Sequence, residues 1–250
     1  MNANEPLPVK IALAMPHQDG WALYASVMCV AAWPTQRFSW TVLNRGTSLL
    51  TLTFNQLFCD ALNLRDKEEF THFAMLHNDV VPCQNWIDIL MDELVQHELD
   101  VIAAVIPLKD SRGLTSTATD KLENPWAVRR LSMTEVMQYP PTFTAQDVPH
   151  REPGSALLLN TGCWLMKLNE PWVKGLHFRQ QDRIVWSLKA QEWAAQTISE
   201  DWDFSRQLVS RGCRPGATRK VAVYHQIQDY NNQSAWGTWH TDTDFLNAQG

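Results

Sequence analysis

The feature that most constrains the fold is an alternation of short apolar runs and amphipathic segments over the first ~106 residues. Apolar runs at 9–14, 38–43, 73–76 and 101–106 have the length of buried strands. Segments that begin at Tyr24, Leu50 and Trp86 place apolar residues at helical spacing. This alternation predicts the α/β class, with a mostly parallel central sheet flanked by helices. Ligands of such sheets bind beyond the carboxyl ends of the strands, so polar residues there are the first functional candidates.

Length and composition predict one domain. The chain has 250 residues and 45% of them are hydrophobic, which suits a single α/β domain over 1–250. Residues 8–109 form its first half. Residues 110–153 are polar and weakly periodic, which indicates a long loop or an insertion. Residues 154–245 form the second half, where a strand at 156–159 is expected to resume the sheet.

Hydropathy, cysteine content and charge argue against several classes of protein. No apolar stretch approaches the roughly 20 residues that span a bilayer. The first ten residues lack the pattern of a secretory signal, so a cytoplasmic location is expected. Five cysteines lie far apart without a CxxC pair, which favours neither a disulfide framework nor a zinc knuckle. The net charge of −6 gives no general attraction to nucleic acid, although the basic run at 206–220 can face a phosphate or solvent.

The tripeptide His77-Asn78-Asp79 follows the third predicted strand. A carboxylate at such a strand end can hold a hard divalent cation beside a diphosphate, because these cations bind through one or two carboxylates plus substrate phosphates. The alternative interpretation is a simple turn before the helix that begins at Trp86.

Two further candidates lie near the end of the chain. Glu200 and Asp201 follow Ser199, and either acid can serve as a general base for an acceptor hydroxyl. The same residues also describe an ordinary helix start with a capping serine. His225 follows an apolar run at 221–224, and its imidazole suits Mn²⁺ as a partner of a carboxylate, or has a structural role.

A fourth candidate is the run from Asn160 to Trp164, in the sequence Asn-Thr-Gly-Cys-Trp, which follows the strand predicted at 156–159. Its glycine permits a close approach of the backbone to a ligand. A plain turn is the alternative. Twelve tryptophans in the chain suit either sugar stacking or core packing.

The order of these features resembles the family 2-like glycosyltransferases with the GT-A fold, over residues 9–239. The shared order is Pro16 after the first strand, an Asp-bearing turn after the third, an Asn-Thr-Gly turn, a Glu-Asp helix start and a histidine after a short strand. The resemblance implies a Rossmann-like nucleotide-diphospho-sugar transferase fold. In that family the central motif is usually Asp-x-Asp. Here His77 stands at its first position and Asp79 alone keeps the acidic character.

The resemblance also implies roles for individual residues. Asp79 is the principal ligand of Mn²⁺ or Mg²⁺, with His225 as the second protein ligand. His77 binds the metal, touches the ribose or shapes the turn. Glu200 and Asp201 resemble the Glu-Asp pair of the family, and Asp201 stands where inverting members carry their general base.

The remaining implied roles concern the two substrates. Donor-binding residues are Pro16, His17, Asn55, His77, Asn78 and Asp79. The acceptor side is formed by Thr161, Gly162 and Trp164. Trp236 and Trp239 belong to a lid that closes over the donor and excludes water.

The expected function is therefore metal-dependent transfer of a hexose or pentose from a nucleotide-diphosphate sugar to an acceptor hydroxyl. The acceptor is a glycan, a protein or a hydroxylated DNA base. A non-catalytic nucleotide-sugar-binding module is one alternative, for which His77 in place of an acid is the main argument. A nucleotidyltransferase is the other. Those enzymes usually carry a basic, glycine-rich loop after the first strand, whereas residues 16–20 contain neither Lys nor Arg.

Overall fold

A computed structural model describes residues 8–17, 24–32, 37–108, 112–225 and 238–239. The strands are β1 (Lys10–His17), β2 (Ser39–Gly46), β3 (His72–Leu76), β4 (Val80–Pro82), β5 (Val101–Ala104), β6 (Leu114–Asp120), β7 (Val128–Ser132), β8 (Thr142–Phe143), β9 (Leu157–Leu158), β10 (Cys163–Lys167), β11 (Gln181–Ser187), β12 (Glu192–Ile198), β13 (Pro215–Thr218), β14 (Val223–His225) and β15 (Thr238–Trp239). The helices are α1 (Tyr24–Ala31), α2 (Leu50–Glu68), α3 (Trp86–Gln96), α4 (Met133–Met137) and α5 (Glu200–Ser210), with short 3-10 turns at Ala145–Asp147 and Pro171–Val173. In the described part of the chain, every helix is too short or too polar to cross a membrane.

The main sheet has seven strands in the order β2-β1-β3-β10-β5-β13-β8. The α/β class is confirmed, but the sheet is mixed rather than mostly parallel. The β1–β2, β1–β3 and β5–β13 pairs are parallel. β10 runs against both of its neighbours, and β8 runs against β13. The apolar pattern of a run shows that it is buried and does not show its direction, so sequence periodicity could not reveal the reversed strand.

The strand expected at 156–159 does not resume the main sheet. Only Leu157 and Leu158 form a strand there, and β9 pairs with β6 in a separate three-stranded sheet. The strand that enters the main sheet is β10, a few residues later.

Residues 110–153, predicted as a long loop or an insertion, contain regular elements over their described part, 112–153. β6 and β7 form an antiparallel hairpin, α4 follows directly, and β8 joins the edge of the main sheet. Leu131, Val136 and Phe143 are buried in the main core. The sequence does hold a signal for α4. Ser132 and Glu135 form a capping box, in which each side chain bonds to the backbone N–H of the other.

An aromatic cluster fills the centre of the core under the main sheet. It comprises Phe58, Phe73, Trp164, Phe178 and Phe204, all of them buried. The rings of Phe178 and Phe204 stack with centroids 4.2 Å apart and planes 3° apart. Trp164 meets the rings of Phe73 and Phe204 edge to face. Because this cluster joins α2, β3, β10 and α5, it fixes the helix α5 relative to the sheet edge.

Truncation of the aromatic cluster should therefore destabilise the fold strongly. Phe178→Ala removes one of two stacked rings and leaves a cavity, so we expect a loss of about 3–5 kcal/mol in the free energy of unfolding. Urea denaturation measures this loss. Val95→Ala is the control, because Val95 on α3 is 66% exposed and its truncation should change stability by no more than about 0.5 kcal/mol. Equal midpoints for the two variants would contradict the packing described above.

Candidate functional site

The candidate residues meet at the end of the main sheet where β3 and β5 finish. They meet there because β10 is antiparallel to both strands and starts at that end. The start of β10 lies beside the end of β3, with Cys163 opposite Leu76. The loop after β3 and the turn before β10 are therefore neighbours. The backbone N–H of His77 donates to the carbonyl of Gly162 at 2.8 Å.

Asn160 fixes the turn before β10. Its side-chain amide donates to the carbonyl of Ala104, at the end of β5, at 2.6 Å. Its carbonyl oxygen accepts the backbone N–H groups of Gly162 and Cys163 at 3.0 and 3.3 Å. Asn160 is buried, so these three bonds satisfy a polar group that would otherwise be costly in the core.

Gly162 is required by close packing rather than by its backbone angles. A Cβ atom at this position would lie 3.0 Å from Cδ1 of Ile106 and 3.4 Å from Cγ2 of Val80. The glycine predicted to approach a ligand therefore approaches neighbouring side chains. It lets the turn pack against the end of β5 and the start of β4.

The turn also binds the start of α5. The backbone N–H of Thr161 donates to Oδ1 of Asp201 at 3.2 Å, and the Thr161 hydroxyl donates to the same oxygen in a short hydrogen bond. Ser205, one turn further along α5, accepts the backbone N–H of Leu159 at 2.9 Å. Asp201 and Thr161, which are 40 residues apart in the sequence, thus form one unit at the sheet edge.

The pKa values of both acids at the start of α5, Glu200 and Asp201, are raised. Burial, and then the charge of Asp201, raise the pKa of Glu200 to about 7. Burial also raises the pKa of Asp201, and the Thr161 hydrogen bonds and the charges of His77 and Arg130 oppose that rise. A carboxylate with a raised pKa is a stronger base than an exposed one, which suits proton abstraction near neutral pH.

Asp79 and His225 are brought together by strand pairing. β4 and β14 are antiparallel, with Val80 opposite His225. As a result, Nε2 of His225 lies 3.7 Å from Oδ2 of Asp79, and both side chains are partly exposed. Ser26 on α1 supports this loop, since its hydroxyl lies 3.1 Å from the carbonyl of Asn78 and 2.9 Å from that of Val80.

The tautomer of His225 is set by a backbone carbonyl. Nδ1 lies 2.8 Å from the carbonyl oxygen of Pro107. A carbonyl can only accept, so Nδ1 carries the proton and the lone pair of the neutral ring is on Nε2, which faces Asp79. Histidines that bind metals are commonly oriented in this way by a carbonyl on the other ring nitrogen.

Asp79 and His225 offer one carboxylate oxygen and one imidazole nitrogen, which are donor types that Mn²⁺ and Mg²⁺ accept. Adjacent ligands of an octahedral Mg²⁺ ion lie about 2.9 Å apart and opposite ones about 4.2 Å apart, so from their separation of 3.7 Å the two side chains would have to shift to bind one ion together. Across the ranges that the structure describes, no cluster of three Asp, Glu, His or Cys side chains forms. His77, expected as a further ligand, is thus not grouped with this pair. Its ring packs against Phe54, with centroids 5.1 Å apart.

A cavity of about 350 Å³ lies next to the loop after β3, between the ends of β1 and β2 and the helix α1. Pro16, His17 and Asn78 line it, as does Trp40. Three of the predicted donor-binding residues therefore share one cavity. Its volume is at the small end of the range for ligand pockets, and its lining is mostly apolar.

A larger depression, of about 750 Å³, lies between the end of α2 and the 3-10 turn at Pro171–Val173. Arg65 and Lys174 line it, and Asp66 and Glu170 do so as well. It is at the opposite end of the strands from Asp79 and Asp201. We assign the functional site to the smaller cavity because the perturbed acids and the Asp79–His225 pair lie at that edge of the sheet.

Other predicted site residues have different positions. Asn55 exchanges two hydrogen bonds with the backbone of Phe178, at 2.7 and 2.8 Å, which occupies its amide in holding the fold. Trp164 was predicted on the acceptor side, but it is buried in the aromatic cluster and cannot contact a substrate. Trp236 lies outside the described residues. The backbone of Trp239 pairs with Val223 at the edge of β14.

Three residues support the site in ways that the sequence reasoning did not predict: Ser26, Asn160 and Arg130. The guanidinium of Arg130 on β7 lies 4.8 Å from the ring centroid of Trp202, next to Asp201. Asn160 was named only as part of a turn motif. The position of Asn160 directly before a Thr-Gly turn was the sequence signal for its role in that turn. The sequence offers no signal for Ser26 and Arg130, since both contact residues that are distant in the chain.

No protein-family model matches the chain, and no curated protein matches it by sequence. Among solved structures, it is similar to A197 from STIV, with a TM-score of 0.52, 14% identity and coverage of 88% of this chain and 87% of that one. This likeness shows a shared overall fold. It is also matched with HddC from Yersinia pseudotuberculosis complexed with GMP-PN, at 9% identity over 79% of this chain and 97% of that one. The TM-score of that match, 0.32, is too low to support an argument.

The raised pKa of Glu200 predicts a pH-dependent gain in stability for Glu200→Gln. Between its ordinary pKa of 4.5 and its folded pKa of about 7, the folded state binds a proton that the unfolded state releases. Stability contributed by this group is therefore lost as the pH rises through that window. Glutamine stays neutral, so we expect the variant to gain on the order of 1–3 kcal/mol over wild type between pH 5 and pH 8.

Denaturation at several pH values measures this difference. Glu123→Gln, at an exposed position in the β6–β7 connection, is the control and should show no such trend. A gain for Glu200→Gln that is the same at pH 5 and pH 8 would show that Glu200 is not held protonated by its site.

Proposed function

We propose that this chain is a metal-dependent glycosyltransferase with a GT-A architecture, which transfers a sugar from a nucleotide-diphosphate sugar to an acceptor hydroxyl. The observation that carries the proposal is the meeting of two pairs at one sheet edge. Asp79 lies beside His225, and Asp201 is bound by Thr161. A cation bound at the first pair would stabilise the departing diphosphate. A carboxylate with a raised pKa beside it would take the proton of the acceptor hydroxyl.

The cavity between β1, β2 and α1 is proposed to hold the base and ribose of the donor. Its apolar lining of Val27, Val30 and Trp40 suits a planar heterocycle. Asn78 lies at its rim and is followed directly by Asp79. A nucleotide in this cavity would therefore direct its phosphates toward Asp79 and His225.

Asp79 and His225 are the residues proposed to hold Mn²⁺ or Mg²⁺ together with the donor phosphates. When bound, such an ion supplies Lewis-acid stabilisation of the charge that develops on a departing diphosphate. The Pro107 carbonyl accepts from Nδ1 of His225, so the neutral ring directs the lone pair of Nε2 at the site, and Ser26 holds the loop that carries Asp79.

Asp201 is proposed as the general base. Both hydrogen bonds from Thr161 go to Oδ1, which leaves Oδ2 to accept a proton from an acceptor hydroxyl. Arg130 and His77 favour the ionised form of Asp201 by their charges. Burial, and then the charge of Asp201, raise the pKa of Glu200 to about 7, so protonation of Glu200 limits the repulsion between the two acids. A base of this kind favours an inverting reaction.

The end of the chain is proposed to contribute the lid. β15 pairs with β14, the strand that carries His225, so Trp239 lies on the segment next to the proposed cation. Trp236 precedes it by three residues in the sequence. Closure of this segment over the donor would exclude water and favour transfer over hydrolysis.

The surroundings of the basic run at 206–220 make a DNA acceptor less favourable. Arg206 forms a bidentate pair with Asp120, and Lys220 binds the buried Glu93 at 2.6 Å. Arg211 donates to the carbonyls of the 174–175 turn. These three cations are engaged in contacts within the fold, which makes a phosphate-binding surface on this run less favourable.

Removal of either cation ligand should abolish metal-dependent donor binding. With UDP or GDP and Mn²⁺ at about 100 times the dissociation constant, wild type should gain roughly 2.7 kcal/mol of stability in a thermal-shift assay. Asp79→Ala and His225→Ala should lose this gain because each leaves one protein ligand. Glu123→Gln should retain it. Binding by wild type that is indifferent to Mn²⁺ would favour the non-catalytic module, and no stabilisation by any nucleotide would count against the whole proposal.

Asp201→Asn should separate donor binding from transfer. Asparagine keeps the shape and the hydrogen bonds to Thr161 but cannot take a proton. We therefore expect unchanged thermal stabilisation by nucleotide and Mn²⁺, and a fall in turnover of about 10²–10⁴-fold. Donor consumption, followed by release of the nucleoside diphosphate, measures the turnover. Wild-type turnover by this variant would exclude Asp201 as the base.

A further inference from the structure

The hairpin of β11 and β12 carries an exposed aromatic surface directly before the acids of α5. Cross-strand partners place six residues on its outward face: Asp182, Ile184, Trp186, Trp193, Ala195 and Thr197. Trp193 is 70% exposed, and Trp186 is 45% exposed. Their rings meet edge to face at 5.5 Å, an arrangement that leaves a large part of each indole open to solvent.

The inner face and the base of this hairpin are anchored, so the outward face is held in place. The guanidinium of Arg183 stacks 4.2 Å from the ring centroid of Trp126 in the β6–β7 connection. At the base, the buried Asp203 of α5 accepts hydrogen bonds from Arg179 and Gln181 at 2.9 and 3.1 Å. The hairpin is thereby fixed to the helix that carries Asp201.

We infer that the outward face of this hairpin, the aromatic platform, binds a neutral glycan chain that is the acceptor of the proposed reaction. This inference rests on the proposed function, since it names the acceptor class of the same site. Open indole faces cover the C–H surface of sugar rings, and their N–H groups remain available for hydroxyls. The platform continues without a break through Ile198 into Glu200 and Asp201.

The charged residues of the hairpin indicate which class of acceptor the platform can bind. Asp182 is the single ionisable residue of the six, and it accepts hydrogen bonds from Thr197 and Gln180. The cations of the hairpin are Arg183 on the inner face and Lys189 in the connecting turn. The platform therefore presents no cation to nucleic acid phosphates or anionic headgroups, and neutral sugars fit it better.

The size of the platform argues against a stable protein partner. Ile184 lies on the same face as the two tryptophans and is 75% exposed, and Leu188 in the connecting turn is 79% exposed. From these exposed fractions the four side chains present roughly 500 Å², within the range of functional surface patches. Each partner of a typical stable interface buries about 800 Å².

The distance between platform and base predicts a preference for long acceptors. Trp193 lies five residues before Ile198 on β12, which is about 17 Å along an extended strand. A glycan whose end reaches Asp201 must therefore be several sugar units long to reach the tryptophans.

Calorimetry with short and long linear oligosaccharides of glucose, mannose, galactose and N-acetylglucosamine tests this inference without any donor present. Wild type should bind at least one series, with an affinity that increases with chain length. Trp186→Ala/Trp193→Ala should weaken binding of the long members by about tenfold or more, and Trp193→Phe should retain most of it. Leu122→Ala removes an exposed apolar side chain elsewhere and should have no effect.

The same variants keep the inference separable from the proposed function. Both tryptophans are exposed, so their truncation should leave the denaturation midpoint and the stabilisation by nucleotide and Mn²⁺ unchanged. If nucleotide and Mn²⁺ bind but no neutral oligosaccharide does, or if the tryptophans do not matter, the platform assignment is wrong and the proposed function stands. If oligosaccharides bind through the tryptophans and no nucleotide binds, the proposed function is wrong, and the platform is a glycan-binding surface without the acceptor role. A wild-type dimer that the double variant dissociates, or tryptophan-dependent binding to vesicles of anionic phospholipid, would also overturn the assignment.

Discussion

The site depends on the side-chain amide of Asn160, which joins the end of β5 to the start of the reversed strand β10. A parallel strand in this place would begin at the far edge of the sheet and would carry its preceding turn away from the loop after β3. Because β10 runs the other way, its turn lies where β3 and β5 end. The hydrogen bond of Asn160 to the carbonyl of Ala104, and its two bonds within the turn, then hold Thr161 where it can bind Asp201.

The acids at the start of α5 show how this arrangement perturbs ionisation. Burial raises the pKa of both Glu200 and Asp201, which destabilises the fold when they are charged. Thr161 offsets this at Asp201, and the aromatic cluster beneath α5 keeps the helix in place. A partly buried carboxylate beside a second one destabilises the folded state. The same raised pKa is useful for proton transfer. The proposed base thus relies on core packing that the reaction itself does not use.

The proposed cation pair has a different origin. Asp79 and His225 are 146 residues apart in the sequence, and the short antiparallel pairing of β4 with β14 brings them to 3.7 Å. The Pro107 carbonyl then selects the histidine tautomer. The hairpin of β11 and β12 ends directly before α5, so along the chain the aromatic platform leads into the helix that carries the proposed base.

The sequence by itself determined the elements whose apolar pattern is local. It predicted the strands β1, β2, β3 and β5, the helices α1, α2, α3 and α5, the strand end that carries Asp79 and the helix start that carries Asp201. It could not show the direction of β10, the order of the strands or the pairing of β6, β7 and β8, since periodicity carries no information about pairing partners. For the same reason it placed Trp164 at a substrate surface, whereas packing buries that ring beside Phe73 and Phe204. It also had no means of finding Ser26, Arg130 or the exposed pair Trp186 and Trp193. Their roles depend on contacts and exposure that exist only after distant segments have packed together.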